Sequence, residues 1–564
     1  MHRLIWHHAS RTLPRTALLF AFAGAVLAQP PLLYNRSVSN AASYMPNGIP
    51  AGAVAQGSMF TLFGTRLGPT PGVSAISFPL GNALGGISIN VIQGSTTVSA
   101  IPVYVSAGQI NAIMPSNAPL GMASLQVVAS NTRSNLLPVR IVSSAFGIFS
   151  AKGTGEGPGI LQNYITQTNQ PVNSPTITAQ PGQVIILWGT GLGPVSFPDN
   201  VAPQAGNLPV ETEVFVGGVS AAVQYNGRTP CCSSIDQIVF TVPDNAPQGC
   251  WVPVYVRTGG TTVSNVVTMA ISSDPNSCST DVLPQITSAY IKGERVSEAM
   301  FTRTDTEEDV GLSVPQEVTS EYQVSFAFEP NPGPYPFNPA IAFPPTGTCT
   351  AYEEPGDLLD SSPLPDMVPT TIPLDLGPPF QLTGPAGSKT LNFGFSGARV
   401  GYIGGLISNN ILPSTLFLNP GSFTLQGFGG MDVGPFTTKF NIPQPVTWTN
   451  RASTTIVPRT QPLTLNWSGG DSGQVVAILG FGVDMPSNSS AAFLCIAPSG
   501  ATSFTVPTDM LSNLPATRTD PLQSKDVIYI ITLAGSSISN LGASGLDVGI
   551  TGYYSILGKT VVYE

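Results

Sequence analysis

Gly182-Gln183-Val184-Ile185-Ile186-Leu187-Trp188-Gly189-Thr190-Gly191-Leu192-Gly193-Pro194 repeats, 125 positions later, the stretch Gly57-Ser58-Met59-Phe60-Thr61-Leu62-Phe63-Gly64-Thr65-Arg66-Leu67-Gly68-Pro69. In both, an apolar run meets a Gly-Thr pair and ends at Leu-Gly-Pro. Downstream, Gln109-Ile110, Pro115, Ala118-Pro119 and Gly121 return as Gln237-Ile238, Pro243, Ala246-Pro247 and Gly249, now offset by 128. Ser134-Asn135 returns as Ser264-Asn265, offset by 130. Preserved order with slowly growing offsets marks a duplicated domain that has taken up small loop insertions.

Each copy reads as antiparallel strands. In the second, Val184–Trp188, Glu213–Val216, Ile238–Val242, Val252–Val256 and Val263–Ala270 are β-branched or aromatic runs. Turn formers separate them, as in Asp244-Asn245-Ala246-Pro247-Gln248-Gly249 and Gly259-Gly260. Each such strand has one apolar face, and a second sheet buries it, so the pattern predicts a sandwich.

The order Ser39-Asn40-Ala41-Ala42-Ser43-Tyr44, Phe63-Gly64-Thr65, Leu67-Gly68, Gly108-Gln109-Ile110-Asn111 and Ala118-Pro119-Leu120-Gly121 resembles a module of a family of secreted bacterial proteins with no assigned activity. The second copy adds Val214-Phe215-Val216-Gly217-Gly218 and Asp236-Gln237-Ile238, and its closing strand with Ser264-Asn265 is similar to IPT/TIG immunoglobulin-like domains. The resemblance covers about residues 33–275 and implies a fold; such domains serve varied binding and scaffolding roles.

Composition extends the reading to the rest of the chain. Of 564 residues only 9% are charged and 42% are hydrophobic, while Gly 59 and Pro 54 break up long helices. Beyond a linker expected at 276–285, Tyr322–Phe328, Lys389–Phe395, Leu463–Trp467, Val475–Val483, Ala491–Ile496 and Ser503–Val506 read as strands, and Thr508–Leu514 as a short helical turn. The proline-rich stretch Pro330–Pro385 reads as long loops or a small subdomain boundary. The expectation is an all-β chain: immunoglobulin-like modules at 29–148 and 149–275, then a β-rich region at 286–564 made of one or two further sandwiches.

Residues 1–28 read as a signal peptide. Arg3, Arg11 and Arg15 precede the apolar Thr16–Leu27, and Val26-Leu27-Ala28 offers a cleavage site. Cleavage there removes His2, His7 and His8, which are all the histidines. A mature chain without imidazole has no Ser-His-Asp triad, no Cys-His pair and no His-ligated metal. The net charge of −10 and only six lysines argue against nucleic acid as a partner. No apolar run after the N-terminus is long enough to span a bilayer.

Six cysteines, at 231, 232, 250, 278, 349 and 495, point to disulfides in an exported chain. If Ile238–Val242 runs up the sandwich, Cys250 and Cys278 meet at the top and Cys231 and Cys232 stay at the bottom. A six-residue strand spans about 20 Å, well beyond disulfide reach. The expected pairs are Cys250–Cys278, a vicinal Cys231–Cys232 and Cys349–Cys495, with free thiols the alternative at 231 and 232.

Several motifs invite chemistry. Gly470-Asp471-Ser472-Gly473 looks like a serine-protease nucleophile stretch, but with no histidine base it reads as a turn. Gly189-Thr190-Gly191-Leu192-Gly193 and Gly153-Thr154-Gly155-Glu156-Gly157 look like phosphate loops; Pro194 and Val195-Ser196-Phe197-Pro198 after the first begin no helix, so structural turns are expected. Asp305, Glu307, Glu308 and Asp309 are weak calcium candidates without EF-hand spacing, and Glu353, Glu354, Asp357 and Asp360 form a second acid group. A carboxylate pair within 286–564 would suit a polysaccharide hydrolase, the competing reading. Of the tryptophans, Trp188 matches Phe63 and reads as core, whereas Trp448 and Trp467 alternate with polar residues like half-exposed strand positions. Those two are the ligand-contact candidates, although burial is the commoner fate of such residues. The sequence thus points to an exported, non-catalytic scaffold or adhesin that binds an extracellular protein or glycan and needs no cofactor.

Overall fold

The computed structural model describes residues 29–45, 48–130, 132–308, 316–355, 371–392, 394–395, 402–407, 416–471, 473–484, 489–517, 526–533 and 535–564. The expected signal peptide, residues 1–28, lies outside them. The fold is all-β: among the described residues strands make up nearly all the regular structure, and the longest helix, Pro284–Lys292, has 9 residues.

The repeat folds twice in the same way. In the first sandwich, Leu32–Asn40, Met59–Thr65 and Gln109–Ile113 lie in one layer, and Ile87–Gln93, Gly121–Ala129 and Leu137–Val142 in the other. Thr96–Val105 pairs with Ile87–Gln93 through its first half and with Gln109–Ile113 through its second, so one strand crosses between layers. The second sandwich repeats the device. Val219–Arg228 pairs first with Thr212–Val216, then, from Ala222 onward and across a bulge at Val223/Tyr225, with Asp236–Thr241. Each encloses its own core, around Phe60, Leu62, Ile89 and Leu125 in the first and Leu187, Val214, Ile238 and Val254 in the second.

Two expectations need correcting here. The run Val263–Ala270 is broken into Thr262–Val263 and Val267–Ile271. Between them the Asn265 amide accepts from Ile148 N and donates to Ile148 O and Gly155 O, taking over the strand's ladder bonds. Trp188 is half-buried rather than core, with its indole N–H donating to Gln162 Oε1 at 2.7 Å.

In the C-terminal body a 12-stranded sheet forms the spine, in which Val548–Tyr563 lies between Asp526–Leu533 and Val296–Glu308. Val296–Glu308 pairs with Val548–Tyr563 in parallel and with Gln316–Pro330 antiparallel. Two small sheets cover one face side by side. The four-stranded sheet (Gly387–Leu391, Phe380–Gly384, Gly421–Gly427, Phe436–Ile442) packs Phe380, Phe423 and Phe440 against Phe301 and Tyr553. The three-stranded sheet (Val446–Trp448, Leu463–Gly469, Ser503–Val506) packs Trp448, Leu465 and Trp467 against Ile478, Phe493, Ile528 and Tyr563. The helix Pro284–Lys292, rooted in the expected linker, covers the other face through Ile286, Ala289 and Tyr290. Within the proline-rich stretch, Cys349–Pro355, Thr371–Pro373 and Phe380–Gly384 are strands, not loops. Thr508–Ser512 forms the short helix expected near there.

Disulfides join Cys231 to Cys232, Cys250 to Cys278 and Cys349 to Cys495. The last pair sits directly opposite across the Cys349–Pro355 and Ser489–Ile496 strands.

Candidate binding cleft

Where the two small sheets part, a strip of the large sheet stays open. The chain crosses this gap from Ile442 through Pro443 to Pro445 and enters the Val446–Trp448 strand. The result is a cavity of about 260 Å³. Strand alternation sets its floor: Arg303 and Asp305 continue the face that carries Ala299 and Phe301. They lie opposite Ser555 and Leu557 on the parallel neighbour. Leu418, Ile442, Trp448 and Arg451 close the sides.

The floor is ordered by polar contacts. Arg303 Nε donates to Asp305 Oδ2 at 3.1 Å, and Thr319 Oγ1, directly across the hairpin, donates to Asp305 Oδ1 at 2.7 Å. Arg451 spans the gap, donating to Asp305 O at 3.0 Å and to Glu317 Oε1 at 3.2 Å. The fully buried Glu321, beside Arg303, accepts from Phe417 N at 2.8 Å and Leu418 N at 3.0 Å, which fixes the Leu418 wall. Burial pushes the Tyr553 phenol up to about 12, so it stays protonated at neutral pH. The cleft therefore offers guanidinium donors, a carboxylate acceptor and an apolar rim in one small space.

The other sequence candidates lie elsewhere. Trp448 and Trp467 are a directly opposed cross-strand pair, each only 4% exposed, so they are not open platforms. The alternation was real, but it turns Thr447 and Ser468 outward and both indoles into the core. Trp448 reaches the cleft from beneath its side, with its N–H held by Asn450 Oδ1 at 2.9 Å. The calcium candidates do not converge. Asp305 and Glu307 share a face, Glu308 points to the other, and Asp309 lies outside the described residues. Glu307 already meets Lys559 Nζ at 2.7 Å and Arg451. Among the described residues no group of three or more His, Cys, Asp or Glu side chains could hold a metal ion. Asp357 and Asp360 lie outside the described residues, while Glu353 and Glu354 pair through their backbone with Ala491 and Ser490.

The glycine loops are structural. Gly191 N and Leu192 N, at 2.7 and 2.8 Å, cradle an anion, but it is the protein's own Asp236 carboxylate. Thr154 N and Gly155 N both donate to Ser150 Oγ, and a Cβ on Gly155, at φ +86, would lie 2.0 Å from Ser43 O. In the Gly470–Gly473 stretch Asp471 N donates to Gln474 Oε1, closing the turn; Ser472 lies outside the described residues.

Sequence reasoning missed Arg303, Arg451 and Tyr553. The only signal was that the acidic group Asp305–Asp309 carries a cation two positions before it, with Thr302 and Thr304 flanking that cation like a strand's alternate face.

No protein-family model matches the chain, and no curated protein matches it in sequence. Similarities to solved structures are faint. Domains 5–6 of the S-layer protein SbsC show 9% identity and a TM-score of 0.16, covering 43% of this chain and 98% of that one. The Bacteroides ovatus mixed-linkage glucan utilization locus protein SGBP-B, in complex with a mixed-linkage heptasaccharide, shows 9% identity and a TM-score of 0.12, covering 86% and 93%. The titin I-band fragment I67–I69 shows 8% identity and a TM-score of 0.11, covering 70% and 97%. Scores this low carry no argument about this chain.

Proposed function

We propose that this is an exported, non-catalytic protein of tandem immunoglobulin-like modules (29–148 and 149–275) and a β-rich body, serving as an extracellular scaffold or adhesin. Its cleft takes a short segment of a partner glycan. The observation that supports this most is the floor itself: Arg303 and Asp305 set a donor and an acceptor side by side. Hydroxylated rings need both, together with an apolar surface such as the Pro420, Ile442 and Leu557 rim. Asp305 is the carboxylate lining this cleft; each of its oxygens accepts one hydrogen bond, from Arg303 and Thr319, and keeps a further lone pair for a ligand. That suits holding a ligand better than moving a proton. Three disulfides fit an oxidising compartment, and no helix among the described residues is long and apolar enough to cross a membrane.

The test is a glycan and protein binding screen on the full chain and on Arg303→Gln, with hydrolysis products followed in parallel. Losing a charge-assisted hydrogen bond should weaken glycan binding about tenfold. Binding confined to proteins and unchanged in Arg303→Gln would remove the cleft from the account. Turnover abolished by one carboxylate-to-amide change would replace it with the hydrolase.

A further inference from the structure

We propose that Cys231–Cys232 is a site of reversible thiol–disulfide exchange that sets how firmly the first two sandwiches are held together. Three observations meet at this loop.

The first is access. Cys231 and Cys232 are both exposed, whereas Cys250, Cys349 and Cys495 are 2%, 8% and 0% exposed and Cys278 is half-buried. Exchange requires a thiolate to approach a sulfur directly, so the vicinal bridge is the one in reach of solvent thiols.

The second is what the bridge leaves undone. A disulfide restrains the unfolded chain in proportion to the loop it closes. Sequence separations of 28 and 146 do this for the other two bridges, while a separation of 1 restrains almost nothing. General stability therefore does not explain this pair.

The third is position. The bridge lies at the tip of the loop joining Val219–Arg228 to Asp236–Thr241, and the same loop grips the first sandwich. Ser234 Oγ donates to Gly57 O at 2.9 Å, and Arg228 Nη2 donates to the same oxygen at 2.6 Å. Ser234 O accepts from Thr190 Oγ1, which in turn accepts from Met59 N at 2.9 Å. Ser234 makes these contacts from a left-handed conformation, φ 60, unfavourable for a side-chain-bearing residue. Two backbone bonds close the loop, Thr229 N to Ile235 O and Ile235 N to Cys232 O. With Cys232 supplying one of those acceptors, the linked cysteines help hold Ser234 in place.

In the exchange, a thiolate of a solvent dithiol attacks one sulfur and displaces the other as a thiolate, giving a mixed disulfide. The reagent's second thiolate then closes its own disulfide and releases the second cysteine. The dithiol loses two electrons, the Cys231–Cys232 bond gains them, and the dithiol's two protons end on the cysteines. Two separate thiols no longer constrain the loop. Ser234 relaxes toward ordinary backbone angles, and the grip on Gly57 and Met59 loosens.

The experiment treats the native full-length chain with dithiothreitol for graded times, traps thiols with iodoacetamide and maps the labelled peptides. Amide hydrogen exchange is read on the same samples. Cys231 and Cys232 should label at least about tenfold faster than the other four, and exchange at the Met59 amide, which donates to Thr190 Oγ1, should rise about tenfold in the reduced protein. Equal labelling rates overturn the exchange site, and selective labelling with unchanged protection at Met59 overturns the coupling. The double variant Cys231→Ser/Cys232→Ser should match the reduced protein without reductant; wild-type protection in that variant also overturns the coupling.

Discussion

The first sandwich meets the second through directed polar contacts, while the second meets the C-terminal body through shared apolar core. At the first junction Asn40 Nδ2 donates to Ala145 O and Thr190 O, and Ser116 N and Oγ both donate to Asp199 at 2.7 Å. Arg228, buried and ion-paired with Asp236, reaches Gly57 O and Gly193 O. Gly57, at φ +69, leaves no space for a side chain: a Cβ there would lie 2.6 Å from Arg228 Nη2. At the second junction Trp251, Tyr290 and Phe337 fall in one core with strands of the large sheet. Tyr255, Val263 and Val266 join another. Hydrogen bonds are directional and fix an angle between bodies that keep separate cores. A merged core is not directional, and it makes the two sides one cooperative unit.

The sharpest way to break this contrast is Trp251→Ala. Removing a side chain 1% exposed, whose N–H donates to Pro336 O at 3.1 Å, should cost about 4 kcal/mol. Calorimetry should show the second sandwich and the body shifting together in one transition. Two separated transitions would mean the cores are not merged.

Next in size is Asp236→Asn, at about 3 kcal/mol, because it leaves the Arg228 charge buried without its partner. Burial drives the Asp236 pKa up, against the pull of Arg228 and of the Leu192 and Gly191 amides that donate to the carboxyl. Amide exchange should rise at Gly191 and Leu192 while the body keeps its protection. Loss of protection throughout would show that the polar junction is as cooperative as the apolar one.

A pH series sharpens the second junction. Glu298 projects into the core around Trp251 with Oε1 unpartnered, and burial raises its pKa to about 8. The folded chain then keeps a proton that the unfolded chain loses near pH 4.3. This contribution is full below that value and declines by about 1.4 kcal/mol per pH unit until about pH 8. Denaturant titrations at several pH values should show that slope in the wild type and a flatter one in Glu298→Gln. Parallel slopes would mean the core accommodates the charge.

The smallest effect belongs to Asp509→Ala, at about 1 kcal/mol or less. Its partner Arg257 is 25% exposed and keeps Glu213 at 2.7 Å. A double-mutant cycle with Tyr255→Phe, whose hydroxyl donates to Asp509 Oδ2, measures what the polar fringe adds to the apolar contact.

The duplicated half was legible because its strands pair mostly with near neighbours and its repeat gives two readings of one pattern. In the body the pairing is remote. Val296-Ser297-Glu298-Ala299-Met300-Phe301-Thr302-Arg303-Thr304-Asp305-Thr306-Glu307-Glu308 ends in charges and reads locally as a solvated acidic segment. It becomes a central strand only because Val548–Tyr563 and Gln316–Pro330 flank it. The cleft was hidden for the same reason: Arg303, Arg451 and Tyr553 are far apart in the chain and meet only through that register. The helix Pro284–Lys292 was missed because its apolar Ile286, Ala289 and Tyr290 span little more than one turn, too short a stretch to show a period.

The placement of Val548–Tyr563 also bears on how the protein is made. Its parallel partner leaves the ribosome about 250 residues earlier and, until the later strand emerges, presents a bare edge and an uncovered apolar face. The two sandwiches, by contrast, are complete in sequence by Ile271. Synthesis thus delivers a finished front and an open rear, and that rear is the part of the nascent chain most exposed to aggregation until the spine can close.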